Sequence, residues 1–382
     1  MKSINKDIID IKEYFLPFEG EKHLGTILLL PYRKDVWYKN AIPAINNFKK
    51  LIEIISKYET VFLFIDPRID YKIVRKFEID NVVIYRIAYD DSWARDTSPI
   101  FLKHKEKEEL VGLDFNFNAY GGDYNGLYFP YDNDRELAKN ILLELAITRC
   151  NKRNMVLEGG SICSNGKGVL LTTSECLLSK GRNPNMSKNE IEKELISSFN
   201  LEKVLFLPNG VIDDETSGHV DNIACFLDEN TILLNYEEDK NNPQHLKDEE
   251  NFDYLINETN LNGEKFNIIK APYPEKMYLN SDDIVDLEIN EHSKNRLINS
   301  PLAGSYLNLY QSDRYVIVPQ FNDENDGKII SILNDFFKGK KEIIPLYSKD
   351  ILLGGGNIHC VTMQIPYCKQ MEYLMEAKLN EN

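Results

Sequence analysis

At 382 residues, 42% of them apolar and 11% aromatic, the chain has enough material for a sizeable core, which excludes an intrinsically disordered protein. No run of about 18 apolar residues occurs, which excludes a membrane-spanning helix, and residues 1–18 mix charged with apolar side chains, so no secretory leader is expected and the protein is read as cytoplasmic. The formal net charge of −16 argues against a nucleic-acid partner, whose phosphates need a basic surface; it suits a cationic ligand as well as simple solubility.

Residues 27–30 read as a short apolar strand stopped by Pro31. A helix is expected over 43–58, with Pro43 in its first turn and Ile45, Phe48, Ile52 and Ile55 on one apolar stripe. Strands follow at 61–65 and 81–87, the second running into a polar segment that contains Asp91, Trp93, Arg95 and Asp96. Residues 110–118 alternate as a strand, 135–147 repeat as a helix, and 155–157 form a short strand leading to Glu158, Gly159 and Gly160. A strand at 168–173 precedes a helix at 189–199, whose start is marked by Ser187 and Glu190, the two halves of a capping box. A strand at 204–207 leads to the segment 214–221, after which 222–227 and 231–235 read as a strand pair. Residues 237–250 are polar, a solvated loop or surface helix, and strands at 306–310, 315–318 and 342–345 accompany a helix at 327–337. Residues 367–382 are set off as a C-terminal tail, of which 369–382 can be read as a short surface helix. Strand, helix, strand recurs throughout, which makes the class α/β. No proline- or serine-rich linker divides the chain, so residues 1–382 are read as one catalytic domain.

The stretch with the most chemistry lies near the end. Gly354, Gly355 and Gly356 let backbone approach a ligand closely, and an alternating pattern follows, with Ile358 and Cys360 on one face and His359, Val361 and Met363 on the other. Cys360 is then expected at the start of a strand beside an open loop. The six cysteines show no paired C-x-x-C spacing, so free thiols are expected rather than a zinc ribbon. Asp96, Glu158, His219 with Asp221, and Cys360 each fall just after or beside an expected strand. Roughly sixty residues separate the first three, and the step to Cys360 is about twice seventy, the spacing of similar modules round a shared centre.

A thiolate is a nucleophile, a histidine can carry protons, and a glutamate can hold that histidine and raise its pKa. Two facing carboxylates, Asp96 and Asp221, are costly unless a cation lies between them, and a planar guanidinium meets that need with paired hydrogen bonds. His219-x-Asp221 also occurs in metal sites; on a strand both side chains would face one way, but no third ligand stands at comparable spacing.

The segments 91–97 (DSWARDT), 116–122 (NFNAYGG), 157–161 (LEGGS), 171–177 (LTTSECL), 214–222 (DETSGHVDN) and 354–366 (GGGNIHCVTMQIP) resemble the agmatine deiminases, in family order and over most of the chain. These belong to the guanidine-modifying enzymes, together with arginine and peptidylarginine deiminases. The resemblance implies a five-bladed α/β propeller (pentein) of ββαβ modules that hydrolyses agmatine, a small cationic guanidine, to N-carbamoylputrescine and ammonia, without metal or organic cofactor. It implies Cys360 as the nucleophile that forms an amidino-cysteine, and His219 as the proton carrier. Glu158 would orient His219, Asp96 and Asp221 would clamp the guanidinium, and Trp93 and Asp91 would line the pocket. It also implies a homodimer or larger homo-oligomer.

The chain departs from the family pattern at Ser98, where glycine is common, and at Tyr120 and Tyr131, where tryptophan is common. Ser217 stands where aspartate is frequent, and Met363 replaces a glutamine. A tyrosine keeps an aromatic wall for a polymethylene chain and a cation, whereas losing an aspartate at 217 would weaken recognition of a distal amine if that residue serves it. The alternatives are a deiminase of free or peptidyl arginine, which needs a partner for the α-carboxylate or peptide, a catalytically silent member of the fold, and a metal-dependent hydrolase built on His219 and Asp221.

Overall fold

The computed structural model describes residues 9–369 and 371. One pattern recurs through it: an antiparallel strand pair, then a helix, then a third strand parallel to the second. In the first unit Met363–Pro366 lies antiparallel to His23–Leu29, which passes through the helix Ile42–Ile55 to Thr60–Ile65. Val82–Arg86 adds a further parallel strand to this sheet. The second unit joins Ile100–His104, Leu110–Asn116, the helix Asp132–Glu144 and Thr148–Val156, with Tyr14–Phe15 on its outer edge. The third has Cys163–Ser164, Val169–Thr173, the helix Lys188–Phe199 and Lys203–Leu207. The fourth has Ala224–Phe226, Thr231–Asn235, the helix Pro243–Asn257 and Asn267–Ala271. The fifth has Tyr310–Gln311, Tyr315–Gln320, the helix Asp326–Phe337 and Glu342–Tyr347. These are the five ββαβ blades of the α/β propeller expected from the sequence. The first blade takes strands from both ends of the chain.

The local rules account for the elements. Thr60–Ile65 is an uninterrupted apolar run, buried at every position but the first, because a central parallel strand is covered on both faces. Ile45, Phe48, Ile52 and Ile55 are all buried on the inner face of their helix. Burying a side chain such as Phe48 contributes about 1.5–3 kcal/mol. Ser187 and Glu190 close the capping box that starts the helix Lys188–Phe199.

Other expectations are corrected. The strand expected at 155–157 begins at Thr148, and its polar start is explained by Arg149 and Arg153, which both reach the buried Asp114 (2.6 and 3.0 Å). No strand is expected at Asn267–Ala271, whose register with Thr231–Asn235 is held by main-chain bonds rather than an alternating face. Of the strand expected at 306–310 only Tyr310 pairs, as part of Tyr310–Gln311. Polar 237–250 is a loop to 242 and then the helix Pro243–Asn257, as the two readings allowed, but it is not wholly solvated, since the helix buries Gln244, His245, Asp248 and Asn251. The helix suggested for the tail falls largely on residues 370 and 372–382, outside the described residues. No helix among the described residues is long and apolar enough to cross a membrane.

Candidate active site

Every passage from one blade to the next carries a polar residue of one cluster. Asp96 lies between the first and second blades, Glu158 between the second and third, and His219 and Asp221 between the third and fourth. Asn308 lies between the fourth and fifth, and Cys360 between the fifth and the strand that completes the first. One expectation about local structure fails here. Cys360 does not start a strand: amides Val361 and Thr362 bond back to Asn357 O (3.2 Å) and His359 O (3.1 Å), so residues 357–362 form a turn ahead of Met363–Pro366. His219 caps the 3₁₀ turn Val220–Asn222 that carries Asp221, between two strands, and the two side chains converge.

Gly160 marks the convergence. A Cβ built there would lie 2.6 Å from His219 Nδ1 and 2.9 Å from both Asp221 Oδ2 and Asp96 Oδ1, so only glycine leaves room for the three. Its own amide donates to Asp96 Oδ1 (2.9 Å), and Tyr120 donates its hydroxyl to Asp96 Oδ2 (2.9 Å). Gly356 serves a similar end, since a Cβ would meet the Trp93 ring at 2.7 Å and Cys360 Sγ at 3.0 Å.

Cys360 is 4% exposed, with Sγ 3.6 Å from Asp221 Oδ2. Asn308 frames it, giving Nδ2–H to Sγ (3.0 Å) and taking the Cys360 amide on Oδ1 (3.2 Å). Burial, then Asp221 and Asp96, push the thiol pKa well above its usual value. Burial also pushes Asp96 up to about 6: His219 works against the rise, and Asp221 and Glu158 add to it. For His219 burial opposes a charge, but Asp96, Cys176 and Glu158 outweigh it and hold the pKa at about 10. His219 Nε2 lies 3.9 Å from Glu158 Oε2, and neither ring nitrogen makes a hydrogen bond among the described residues. The other Glu158 oxygen is 2.6 Å from Arg182 Nε. Asp221 Oδ1 is buried without a partner among the described residues.

A cleft leads to this cluster, lined by Trp93, Asp91, Asp96, Tyr120, Tyr128 and Cys360 among others. Trp93 donates Nε1–H to Asp91 Oδ2 (3.0 Å), and the Arg33 guanidinium stands 3.5 Å from the same oxygen. Glu215 and Thr216 line the cleft, whereas Ser217 does not; the Ser217 hydroxyl meets Asn125 Nδ2 at 3.5 Å instead. A larger cleft, walled by Tyr236, Tyr273 and Lys276, holds none of the clustered residues. Glu158, Cys176 and His219 are the one group among the described residues with ligand atoms close enough together, within 4.8 Å, to hold a metal ion. The Arg182 guanidinium against Glu158 opposes a cation there.

Sequence reasoning missed Asn308, Arg182 and the His359–Glu19 pair. The doubled interval between His219 and Cys360 was the available signal for Asn308, since it left one passage without a residue.

The model of the Porphyromonas-type peptidyl-arginine deiminases matches residues 15–366. The chain belongs to that family. It is 39% identical over 353 residues to a Latilactobacillus sakei subsp. sakei (strain 23K) protein named "Putative agmatine deiminase", covering 92% of this chain and 96% of that one. Its structure is similar to an agmatine deiminase of Enterococcus faecalis, with a TM-score of 0.89, 31% identity and coverage of 96% of this chain and 98% of that one. It is also similar to a C. jejuni agmatine deiminase carrying a cysteine-to-serine replacement, with substrate bound. There the TM-score is 0.79 at 26% identity, covering 93% of this chain and 97% of that one. As a member of the deiminase family the protein is a hydrolase acting on C–N bonds.

Proposed function

We propose that the protein hydrolyses agmatine to N-carbamoylputrescine and ammonia through a covalent amidino-cysteine on Cys360. One observation carries the reading: a buried thiol lies against Asp221, whose second oxygen has no partner among the described residues, with Asp96 across Gly160. The charges of the cluster balance while the thiol is protonated. The basic side chains of the cluster, Arg95, Arg182, His219 and His359, already face Glu19, Asp96, Glu158 and Asp221. A guanidinium brings one more positive charge, and the Cys360 thiolate is the negative charge that balances it, so substrate entry favours ionisation of the thiol.

The steps then follow. Cys360 sulfur bonds to the guanidinium carbon, and protonated His219 gives its proton to the departing nitrogen, which leaves as ammonia. Neutral His219 takes a proton from water, the hydroxide adds to the amidino carbon, and the carbon–sulfur bond breaks to return the thiolate; the new hydroxyl group loses its proton to the released ammonia or to solvent, which leaves the substituted urea. Glu158, itself pinned by Arg182, faces the His219 ring through this cycle. Asp96 and Asp221 hold the guanidinium nitrogens, and Trp93 with Asp91 lines the way in. The name and contents of the C. jejuni structure support a role for a cysteine in this chemistry. The reading includes a cytoplasmic homo-oligomer of one catalytic domain per chain, working without metal or organic cofactor.

A second reading, deimination of arginine, draws on Arg33, Lys294 and Arg296 in the cleft, which could meet an α-carboxylate. Each is already paired: Arg33 with Asp35 (2.5 Å), and Lys294 and Arg296 with Glu215 (3.2 and 3.0 Å). Ammonia release from agmatine and arginine, run side by side, tests the two. Agmatine is expected to have the higher kcat/KM; faster turnover of arginine would keep the chemistry and overturn the substrate.

Gly160→Ala should fold yet lose about 10²-fold in kcat/KM, because misplacing reacting groups by an ångström costs that much. Wild-type kinetics in a variant with an unchanged circular dichroism spectrum would mean that the three side chains do not act from the positions seen.

A further inference from the structure

The mechanism above leaves unused the buried histidine next to the nucleophile, His359. His359 is 5% exposed, and its ring bridges two carboxylates: Nδ1 is 2.9 Å from Asp221 Oδ2 and Nε2 is 2.9 Å from Glu19 Oε2. An ionised carboxylate only accepts hydrogen bonds, so a ring that bonds to both donates from both nitrogens and is positively charged. Glu19 arrives from the N-terminal segment, and its other oxygen takes Arg95 Nη1 (2.9 Å). Arg95 also reaches back to His359 O with Nε (3.4 Å), which closes the arrangement. The result is a buried row of alternating charge, Arg95, Glu19, His359, Asp221, ending at the thiol.

We propose that His359, held as an imidazolium by Glu19, is a positioning residue for Asp221: it ties down Oδ2 so that the unpartnered Oδ1 is presented to the guanidinium. The inference rests on the reading of Asp221 as a guanidinium clamp. Without the tie, Asp221 could turn its free oxygen toward either neighbour. Without the charge, less would offset the repulsion between the Asp221 and Asp96 carboxylates.

The groups that face the ring set its titration. Burial and Arg95 work against a charge, and Glu19 and Asp221 outweigh them, so the pKa of His359 is raised. Glu19 is held low despite its burial by Arg95, His359 and, behind it, His23, whose ring bonds to Glu19 O (2.7 Å). The thiols of Cys163 and Cys225 also feel Glu19, and Cys360 lies against Asp221. A raised histidine pKa means the charge is present at low pH and lost as pH rises through the raised value. Replacing Glu19 by glutamine removes a raising charge, so the loss moves to lower pH.

The test uses the pH titration of the full chain labelled with [¹⁵N]histidine, together with kcat and KM of the variants. In the wild type at pH 8 two of the six histidines are expected to show both ring nitrogens protonated, His219 and His359, the latter identified by its loss in His359→Asn. Should that variant not fold, the response of the signal in Glu19→Gln identifies it. In Glu19→Gln the pH at which the His359 ring loses its second proton, followed by its ¹⁵N shifts, should move to lower pH. His359→Asn should keep a neutral donor to Asp221 yet lose about 10- to 100-fold in kcat/KM, the worth of one charged hydrogen bond, mainly through KM. A His359 ring with one bare nitrogen in the wild type, or an unmoved His359 titration in Glu19→Gln, overturns the inference. Should the wild type not turn over agmatine, the deiminase reading fails, while the ring's protonation still decides whether the row is charged.

Discussion

Cys360→Ser is expected to abolish ammonia release from agmatine, with a loss on the order of 10⁶-fold, as when other enzymes lose their nucleophile. The argument starts from the surroundings of the sulfur. Burial and the charges of Asp221 and Asp96 hold the thiol pKa well above its usual value. In the empty site the thiol is therefore protonated, and it ionises only when a cation sits between the carboxylates. A serine hydroxyl starts from a far higher pKa, so the same cation leaves the alkoxide unpopulated. The replacement is close to isosteric, and the Asn308 amide and the turn at 357–362 can remain, so folding should be nearly unaffected. Rapid quenching followed by mass spectrometry provides the second readout. An amidino adduct should accumulate on the wild-type chain during turnover and be missing from the serine form. Near-wild-type rates in the serine form would remove Cys360 from the chemistry altogether.

Much of this arrangement was legible in the chain because the informative residues sit where the strands end. A parallel strand covered on both faces must be apolar, so Thr60–Ile65 and Lys203–Leu207 stand out, and the polar residues that follow them are conspicuous by contrast. Asp96, Glu158, His219, Asp221 and Cys360 were found in this way and lie in one cluster. The failures have a common cause as well. Cys360 follows a pattern that mimics a strand, but its backbone is taken up by Asn308 and by a tight turn, so tertiary bonds override the alternation. The same bonds explain why 306–309 is not a strand: Asn308 spends its main-chain oxygen on the His359 amide. Arg182 and Glu19 could not be placed from sequence, because each reaches the cluster from a segment with no periodicity of its own. Their contribution is electrostatic and depends on which carboxylate the fold sets against them.

Asp96→Asn and Asp221→Asn are each expected to cost about 30- to 3000-fold in kcat/KM, since truncating one side of a buried charge pair costs 2–5 kcal/mol and each 1.4 kcal/mol is tenfold. Asparagine keeps the shape and one acceptor, so Gly160 and Tyr120 can still bond at position 96 and the fold should hold. The two variants differ in their pH dependence, which separates a clamp from a general loss of packing. The kcat/KM profile reports the free enzyme. There the Asp96–His219 pair should give an acid limb near 6, where Asp96 becomes charged, and an alkaline limb near 10, where His219 loses its proton. His219 is raised above its ordinary value of 6.5, so its proton is present below the raised pKa and lost as pH climbs through it. After burial, which works the other way, Asp96 is the largest influence on that pKa. Asp96→Asn should therefore erase the acid limb and pull the alkaline limb down, whereas Asp221→Asn should leave the alkaline limb near its place. Equal shifts in both variants would mean that His219 is not coupled to Asp96 as the geometry requires. A wild-type kcat/KM in either would remove that carboxylate from the clamp.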